Sequence, residues 1–282
     1  MKVYEALSQA ISLLEATTPK PRPEAEWLLS FLLESDRSHI LSHYQDELES
    51  SLITRFLSLV EDRRQGKPLQ YIIGSQEFRG LEFQVTTDVL IPRPETELVV
   101  DRTLPCLIRQ HPLLVDCCTG SGCIAVALAV ERPRVRVIAV DLSLAALNVA
   151  KRNAIAHRVL DRIQFVASDL LNPLDSFSLR GEVDCIVSNP PYVSEKDFDG
   201  LQREVKEWEP KLALVAGRDG LAVYRRLIPQ SLSLLRKEGH LILEIGFSMK
   251  EAVCRLFQNG WRDVKVQEDF SGIPRVVVAQ KL

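Results

Sequence analysis

Between Leu113 and the C-terminal residues the hydrophobic period keeps switching, and this constrains the fold more than any other feature. Leu113–Cys117, Val135–Val140, Ile163–Val166, Val183–Ser188 and His240–Ile245 are short apolar runs bounded by polar or turn residues. Stretches of helical character, Ile124–Glu131, Leu144–His157 and Leu221–Arg236, separate most of them. Strands that alternate with helices must be joined by crossovers, which place helices on both faces of a parallel sheet. The pattern predicts an α/β fold with a doubly wound sheet. The last two runs, Val264–Val266 and Arg275–Gln280, are expected to form an antiparallel edge. In such sheets ligands bind beyond the carboxyl ends of the strands, at the switch point in strand order.

The residues before this region read differently. Tyr4, Leu7, Ile11 and Leu14 recur at helical spacing, Pro21 and Pro23 stop that helix, and Pro23 can open the next. Ser51–Val60 carries a third helical pattern. A small bundle of this kind usually packs or recognises a partner and has no chemistry of its own. Phe78–Phe83 reads as a hairpin turning at Arg79–Gly80, and Ile91-Pro92-Arg93-Pro94 forces extended backbone before a helix near Glu95. The expected divisions are 1–67, a helical domain; 68–94, a hairpin connector; and 95–282, the sheet domain.

Charge narrows the partners. Lys and Arg number 35 and Asp and Glu 38, for a net charge of −3. Residues 1–67 hold 8 basic and 11 acidic side chains, so the remainder holds 27 of each. Neither part has the basic excess of a protein that grips phosphates, so direct nucleic-acid binding is not expected. MKVYEALSQA lacks an apolar core of signal-peptide length, and the unbroken apolar run Cys123–Val130 is too short to span a bilayer. A cytoplasmic location is expected, with no membrane partner. The six cysteines form no Cys-x-x-Cys pair and no zinc spacing with histidine, so they read as buried reduced thiols and no metal site is expected.

The residues just after each strand carry the chemistry. After the first come Cys118, Thr119, Gly120, Ser121 and Gly122, whose glycines let backbone approach a ligand and whose N–H groups suit a carboxylate. Asp141 ends the second strand, where a carboxylate can accept from both hydroxyls of a ribose. Gly120–Ala125 also fits the relaxed dinucleotide fingerprint, so by itself the loop leaves the cofactor open. Asp169, next to Leu170, is placed to accept from an adenine amino group, or equally to cap a turn. After the fourth strand stands Asn189-Pro190-Pro191-Tyr192. Two prolines remove two backbone donors and stiffen the bend, leaving the Asn189 side-chain carbonyl, the Pro190 carbonyl and the Tyr192 ring on offer.

Asn-Pro-Pro-Tyr in this position resembles the signature of S-adenosylmethionine-dependent methyltransferases that alkylate a planar nitrogen. Two groups share it: those acting on adenine or cytosine in DNA, and those acting on glutamine amides. Pro68–Gly74, Phe78, Leu90–Glu97, Glu209-Pro210, Gly217–Leu221 and Tyr224-Arg225 resemble the glutamine methyltransferase family that modifies peptide chain release factors. The likeness covers nearly the whole chain. It implies a Rossmann-like, seven-stranded methyltransferase sheet with an N-terminal helical bundle and a hairpin connector. It also implies methyl transfer from S-adenosyl-L-methionine, leaving S-adenosyl-L-homocysteine, to the glutamine of a Gly-Gly-Gln loop, with the helical domain docking the release factor. The family has glycine where this chain has Cys118, a substitution that matters if the backbone there must be left-handed.

The residues then take expected roles. Cys118–Gly122, Asp141, Asp169, Leu170 and Asn189 hold the cofactor, with Asp116, Glu95 or Glu97 facing its cationic end or else capping or pairing with Arg93. Asn189 Oδ1 and the Pro190 carbonyl accept from the substrate amide, Pro191 stiffens the bend, and Tyr192 stacks on the amide plane. The same four residues would serve adenine N6, so an adenine methyltransferase acting on DNA or RNA is the alternative activity. A binding module without turnover and an NAD-dependent redox enzyme are further alternatives.

Overall fold

The computed structural model describes residues 1–172, 174 and 179–282. The chain divides into two compact units, Met1–Ser75 with Gln202–Trp208, and Gln76–Leu201 with Glu209–Leu282. The expected connector 68–94 is thus shared between the two units.

The first unit is helical: α1 (Val3–Leu14), α2 (Pro21–Leu32), α3 (Arg37–Ser42), α4 (Ser50–Arg64) and α5 (Leu69–Ile73). α2 begins at Pro21, so both prolines lie in its first turn, where a missing N–H costs no helical bond. Leu7, Leu14, Leu28, Leu29, Ile40, Phe56 and Val60 form its core. α3 carries too little apolar patterning to be expected, since only Ile40 is buried; Asp36 caps it by accepting from His39 N at 2.7 Å. Arg63, nearly buried on α4, joins Glu24 at 2.7 Å and Glu204 at 2.9 Å, which ties Gln202–Trp208 into this unit.

β1 (Ser75–Phe78), which begins at the last residue before the second unit, and β2 (Leu81–Gln84) form the hairpin. Arg79 and Gly80 both have positive φ, 54° and 71°, as a two-residue turn requires. Asn153 fastens β2 to the glycine loop. Its Oδ1 accepts from Gln84 N at 2.8 Å, and its Nδ2 donates to the carbonyls of Gln84 and Ser121 at 3.0 and 2.8 Å.

The strands of the main sheet are β3 (Leu113–Cys117), β4 (Arg136–Asp141), β5 (Ile163–Ala167), β6 (Val183–Ser188), β7 (Leu235–Glu244), β8 (Trp261–Glu268) and β9 (Pro274–Lys281). Among the described residues this sheet is seven-stranded, in the order β5-β4-β3-β6-β7-β9-β8. β3 to β7 pair in parallel, and β9 runs antiparallel between β7 and β8. β7 starts at Leu235, earlier than expected, because Leu235 pairs with Val183 across a bulge. Helices α6 (Glu97–Thr103), α7 (Cys123–Glu131), α8 (Leu144–Ala156), α9 (Glu195–Phe198), α11 (Ala222–Leu234) and α12 (Lys250–Cys254) complete this unit, while α10 (Arg203–Trp208) belongs to the first.

Period-two alternation divides the sheet residues between two cores. Leu114, Val137, Ala139, Cys185, Val187 and Ile242 pack with α6, α7 and α8. Val115, Ile138, Val140, Ile186, Leu241 and Leu243 pack with α11 and α12. A sheet covered on both faces leaves its strand ends open to a ligand, and the switch in order falls between β3 and β6. Among the described residues no helix is long and apolar enough to cross a membrane.

Candidate active site

A cavity of about 260 Å³ opens beyond the carboxyl ends of β3, β4, β5 and β6. Cys118, Thr119, Gly120 and Ser121 line it after β3, Asp141 at the end of β4, Asp169 and Leu170 after β5, and Asn189 and Pro191 after β6. The expected residues Gly122, Pro190 and Tyr192 are not among its lining.

The loop after β3 is held by hydrogen bonds to the end of β4 and by one of its own. Thr119 N donates to Val140 O at 3.0 Å, Gly120 N to Asp141 Oδ2 at 2.9 Å, and Gly122 N to Thr119 O at 2.8 Å. Of the N–H groups expected to receive the cofactor's carboxylate, those of Thr119 and Gly120 are engaged by the end of β4 and that of Gly122 by the loop itself, as backbone donors at a buried turn require. Gly122 caps α7 with φ of 79°; a Cβ there would lie 2.9 Å from that of Ala150, which is why the loop and α8 approach so closely. Cys118 adopts φ of 62°, the left-handed conformation under which the loss of the family's glycine matters, and Leu170 adopts 57°. Ser168 holds that second turn by donating from its hydroxyl to Leu170 O at 2.6 Å. Two strained non-glycine residues thus flank one cavity, a clustering common at ligand sites.

Asp116 is fully buried beneath the loop, where Oδ2 accepts from Thr119 Oγ1 at 2.7 Å and from Ala125 N at 3.1 Å. It braces the turn and the start of α7 and is not among the cavity lining. Burial raises its pKa to about 7, and its Oδ1 has no partner among the described residues. Glu97 accepts from Arg79 N at 3.0 Å, and Arg93 pairs with the buried carboxylate of Glu209, which also accepts from Ile91 N at 3.3 Å. The acid that pairs with Arg93 is Glu209, not the expected Glu95 or Glu97, and neither of these two is among the cavity lining.

The donor set of the cavity can be tested against S-adenosylmethionine. Asp141 accepts from Ser143 N and Gly120 N, one at each oxygen, leaving a further lone pair on both for hydroxyls. Its carboxyl is pushed up chiefly by burial. Asp169 pairs with Arg226 at 2.6 Å, but both side chains are about half exposed, and such a pair is worth only about 0–1 kcal/mol. An incoming amino group can compete for it. The two cavity arginines, Arg93 and Arg226, are each paired to an acid. Carboxylates, apolar walls and neutralised cations fit a ribose and a sulfonium far better than a pyrophosphate.

Asn189 forms the other wall. Its Nδ2 donates to Thr96 Oγ1 at 3.1 Å, and Thr96 Oγ1 donates to Glu244 Oε2 at 2.6 Å. Glu244, the last residue of β7, is buried, and burial raises its carboxyl to about 7. Thr96 and Glu244 are not among the expected site residues. The signal for Glu244 is an acid closing the apolar run Leu241–Leu243, the same signal that marks Asp141. The Tyr192 ring lies against Gly246, and its phenol is raised mainly by burial. Tyr192 lies outside the cavity lining, with its hydroxyl hydrogen-bonded to Glu244. Pro190 is buried.

The sheet order, the turn after β3 and the Asn-Pro-Pro-Tyr bend define a Rossmann-like methyltransferase, an enzyme class that draws on S-adenosylmethionine. A solved structure, the hMettl16 catalytic domain in complex with the MAT2A 3′UTR hairpin 6, shares this fold with a TM-score of 0.55 at 18% identity, covering 82% of this chain and 81% of that one. The family model for the PrmC N-terminal domain matches residues 5–74, and that for the methyltransferase small domain matches residues 97–207. The release factor glutamine methyltransferase of Koribacter versatilis is 41% identical over 100% of this chain and 99% of its own length. That of Moorella thermoacetica is 40% identical over 100% and 99%. The chain belongs to the release factor glutamine methyltransferase family.

Proposed function

We propose that this enzyme methylates the side-chain amide nitrogen of the glutamine in the Gly-Gly-Gln loop of peptide chain release factors. One observation carries the residue-level reading: Asn189 stands at the cavity wall with its NH2 tied back to Thr96, so its Oδ1 is the group left to meet a substrate. S-adenosylmethionine, when bound, supplies the methyl group as an electrophile. Asp141, Asp169 and the turns at Cys118–Gly122 and Leu170 would hold it.

A carboxamide nitrogen is a poor nucleophile because its lone pair is delocalised into the carbonyl. Asn189 Oδ1 and the Pro190 carbonyl accept hydrogen bonds from the substrate NH2 and orient it. The same oxygens stabilise the positive charge that develops on that nitrogen. Catalysis is then chiefly alignment, and the proton leaves an acidified nitrogen for water. The helical unit, with Trp27 and Phe31 exposed one turn apart on α2, docks the release factor.

Radiolabelled methyl transfer offered in parallel to a release factor, to its Gln-substituted variant and to DNA tests the substrate. Label is expected on the first alone, and label on DNA alone overturns the reading in favour of an adenine methyltransferase. Asn189→Ala should lose roughly 10²–10³-fold in kcat, the scale of removing one preorganised electrostatic group.

A further inference from the structure

We propose that Thr96 and Glu244 act as positioning residues that fix which end of the Asn189 amide faces the substrate. This deepens the glutamine-methylation reading and rests on Asn189 as the acceptor. The two ends of a carboxamide have nearly the same shape, so packing alone does not choose between them. Hydrogen bonding does. An ionised carboxylate only accepts, and threonine has one hydroxyl proton. Thr96 commits that proton to Glu244 Oε2 at 2.6 Å and can then only accept from its other neighbour. The Asn189 group 3.1 Å away must therefore be the NH2, since Oδ1 there would set two lone pairs against each other. Oδ1 is left to accept from the substrate amide.

The arrangement depends on the charge of Glu244. Thr96 and Glu95 face it from the turn before α6, and Arg275 from β9. Tyr192 faces it after β6 and Cys123 from the start of α7. Tyr224 reaches it from α11, donating to its backbone carbonyl at 2.7 Å. Burial and Glu95 favour the protonated form, while Thr96, Arg275 and Tyr192 favour the ionised one. Once protonated, Glu244 can donate to Thr96, whose own proton is then released toward Asn189. The amide turns to accept it and presents NH2 to a substrate that also offers NH2. Two donors face each other and alignment is lost.

The test compares the full-length enzyme with Thr96→Val, Thr96→Ser and Asn189→Ala, using a release factor as substrate. Steady-state rates are followed against pH, and thermal unfolding confirms that each variant is folded. Thr96→Val should lower kcat at least tenfold with KM for the release factor within threefold of wild type, while Thr96→Ser stays within threefold in both. Wild-type kcat should fall on the acid side with an apparent pKa near 7. That acid limb should be absent from Thr96→Val, which no longer links Glu244 to Asn189. The proposal is overturned if folded Thr96→Val turns over within threefold of wild type while Asn189→Ala is inactive, if Thr96→Ser is as slow as Thr96→Val, or if Thr96→Val keeps the acid limb. Undiminished turnover by Asn189→Ala would instead remove the underlying reading of Asn189, and the relay with it.

Discussion

The carbonyl oxygen of Tyr192 lies so close to Gly220 that a Cβ on that glycine would sit 2.3 Å from it. Gly220 also has φ of 74°. Backbone on backbone cannot yield as a flexible side chain would. Gly220→Ala combines overpacking with left-handed strain, and each is worth about 1–3 kcal/mol. The variant should lose about 3 kcal/mol or more in urea unfolding. Where it still folds, kcat should fall with it, because the Asn189–Tyr192 bend is displaced. Stability within 1 kcal/mol of wild type, on the order of experimental scatter, would contradict this close approach.

The two glycines of the loop after β3 should respond differently to alanine. At Gly120, φ is 54° but a Cβ meets nothing within 4 Å, so the cost is the left-handed penalty alone, about 1–2 kcal/mol. At Gly122 the same penalty is joined by contact with Ala150, 2.9 Å from Cβ and 3.2 Å from Cα. Gly122→Ala should be the more destabilising by roughly 1–3 kcal/mol. Chemical denaturation of both variants side by side measures the difference.

Cys118→Gly should relieve a left-handed non-glycine residue. The gain of about 1–2 kcal/mol is largely offset by the extra freedom glycine brings to the unfolded chain, about 0.4–1 kcal/mol. The net expectation is unchanged or slightly raised stability, by up to about 1 kcal/mol, with cofactor affinity retained by calorimetry. A clear loss of stability would show that the Cys118 side chain, packed on the core shared with α11, contributes more than its backbone costs.

Stability should carry a pH signature from Glu244. Its folded pKa, about 7, lies above its ordinary value of 4.5, so the folded state holds its proton more tightly than the unfolded state. The contribution is fully present below pH 4.5 and is lost as pH rises through about 7. At about 1.4 kcal/mol per unit this is on the order of 3 kcal/mol. Glu244→Gln, which cannot ionise, should therefore gain Tm relative to wild type at pH 8 and show little of that gain at pH 4.5. A difference in Tm that does not change with pH would remove Glu244 as its source.

Much of the sheet unit was legible because its signals are local. Parallel strands buried on both faces read as apolar runs, and the residue after each run falls at the ligand-binding edge whatever surrounds it. That rule put Asp141, Asp169 and Asn189 at the cavity edge, while the left-handed backbone of Cys118 was left open by the sequence. It did not foresee α3, whose six residues bury one side chain, or that Tyr192 would lie outside the cavity lining. Arg93 was matched to acids close in sequence, and its partner, Glu209, is 116 residues away.

Period and turn chemistry therefore determined the strands, the helices, the glycine turn and the proline-stiffened bend, because each depends on the conformations open to a few adjacent residues. The sequence likeness determined the family. Only the tertiary structure decided which lone pair Asn189 turns to the cavity. That choice rests on two hydrogen bonds between residues 93 and 148 positions apart, and a donor finds so distant an acceptor only when the sheet has brought β6, β7 and the turn before α6 together.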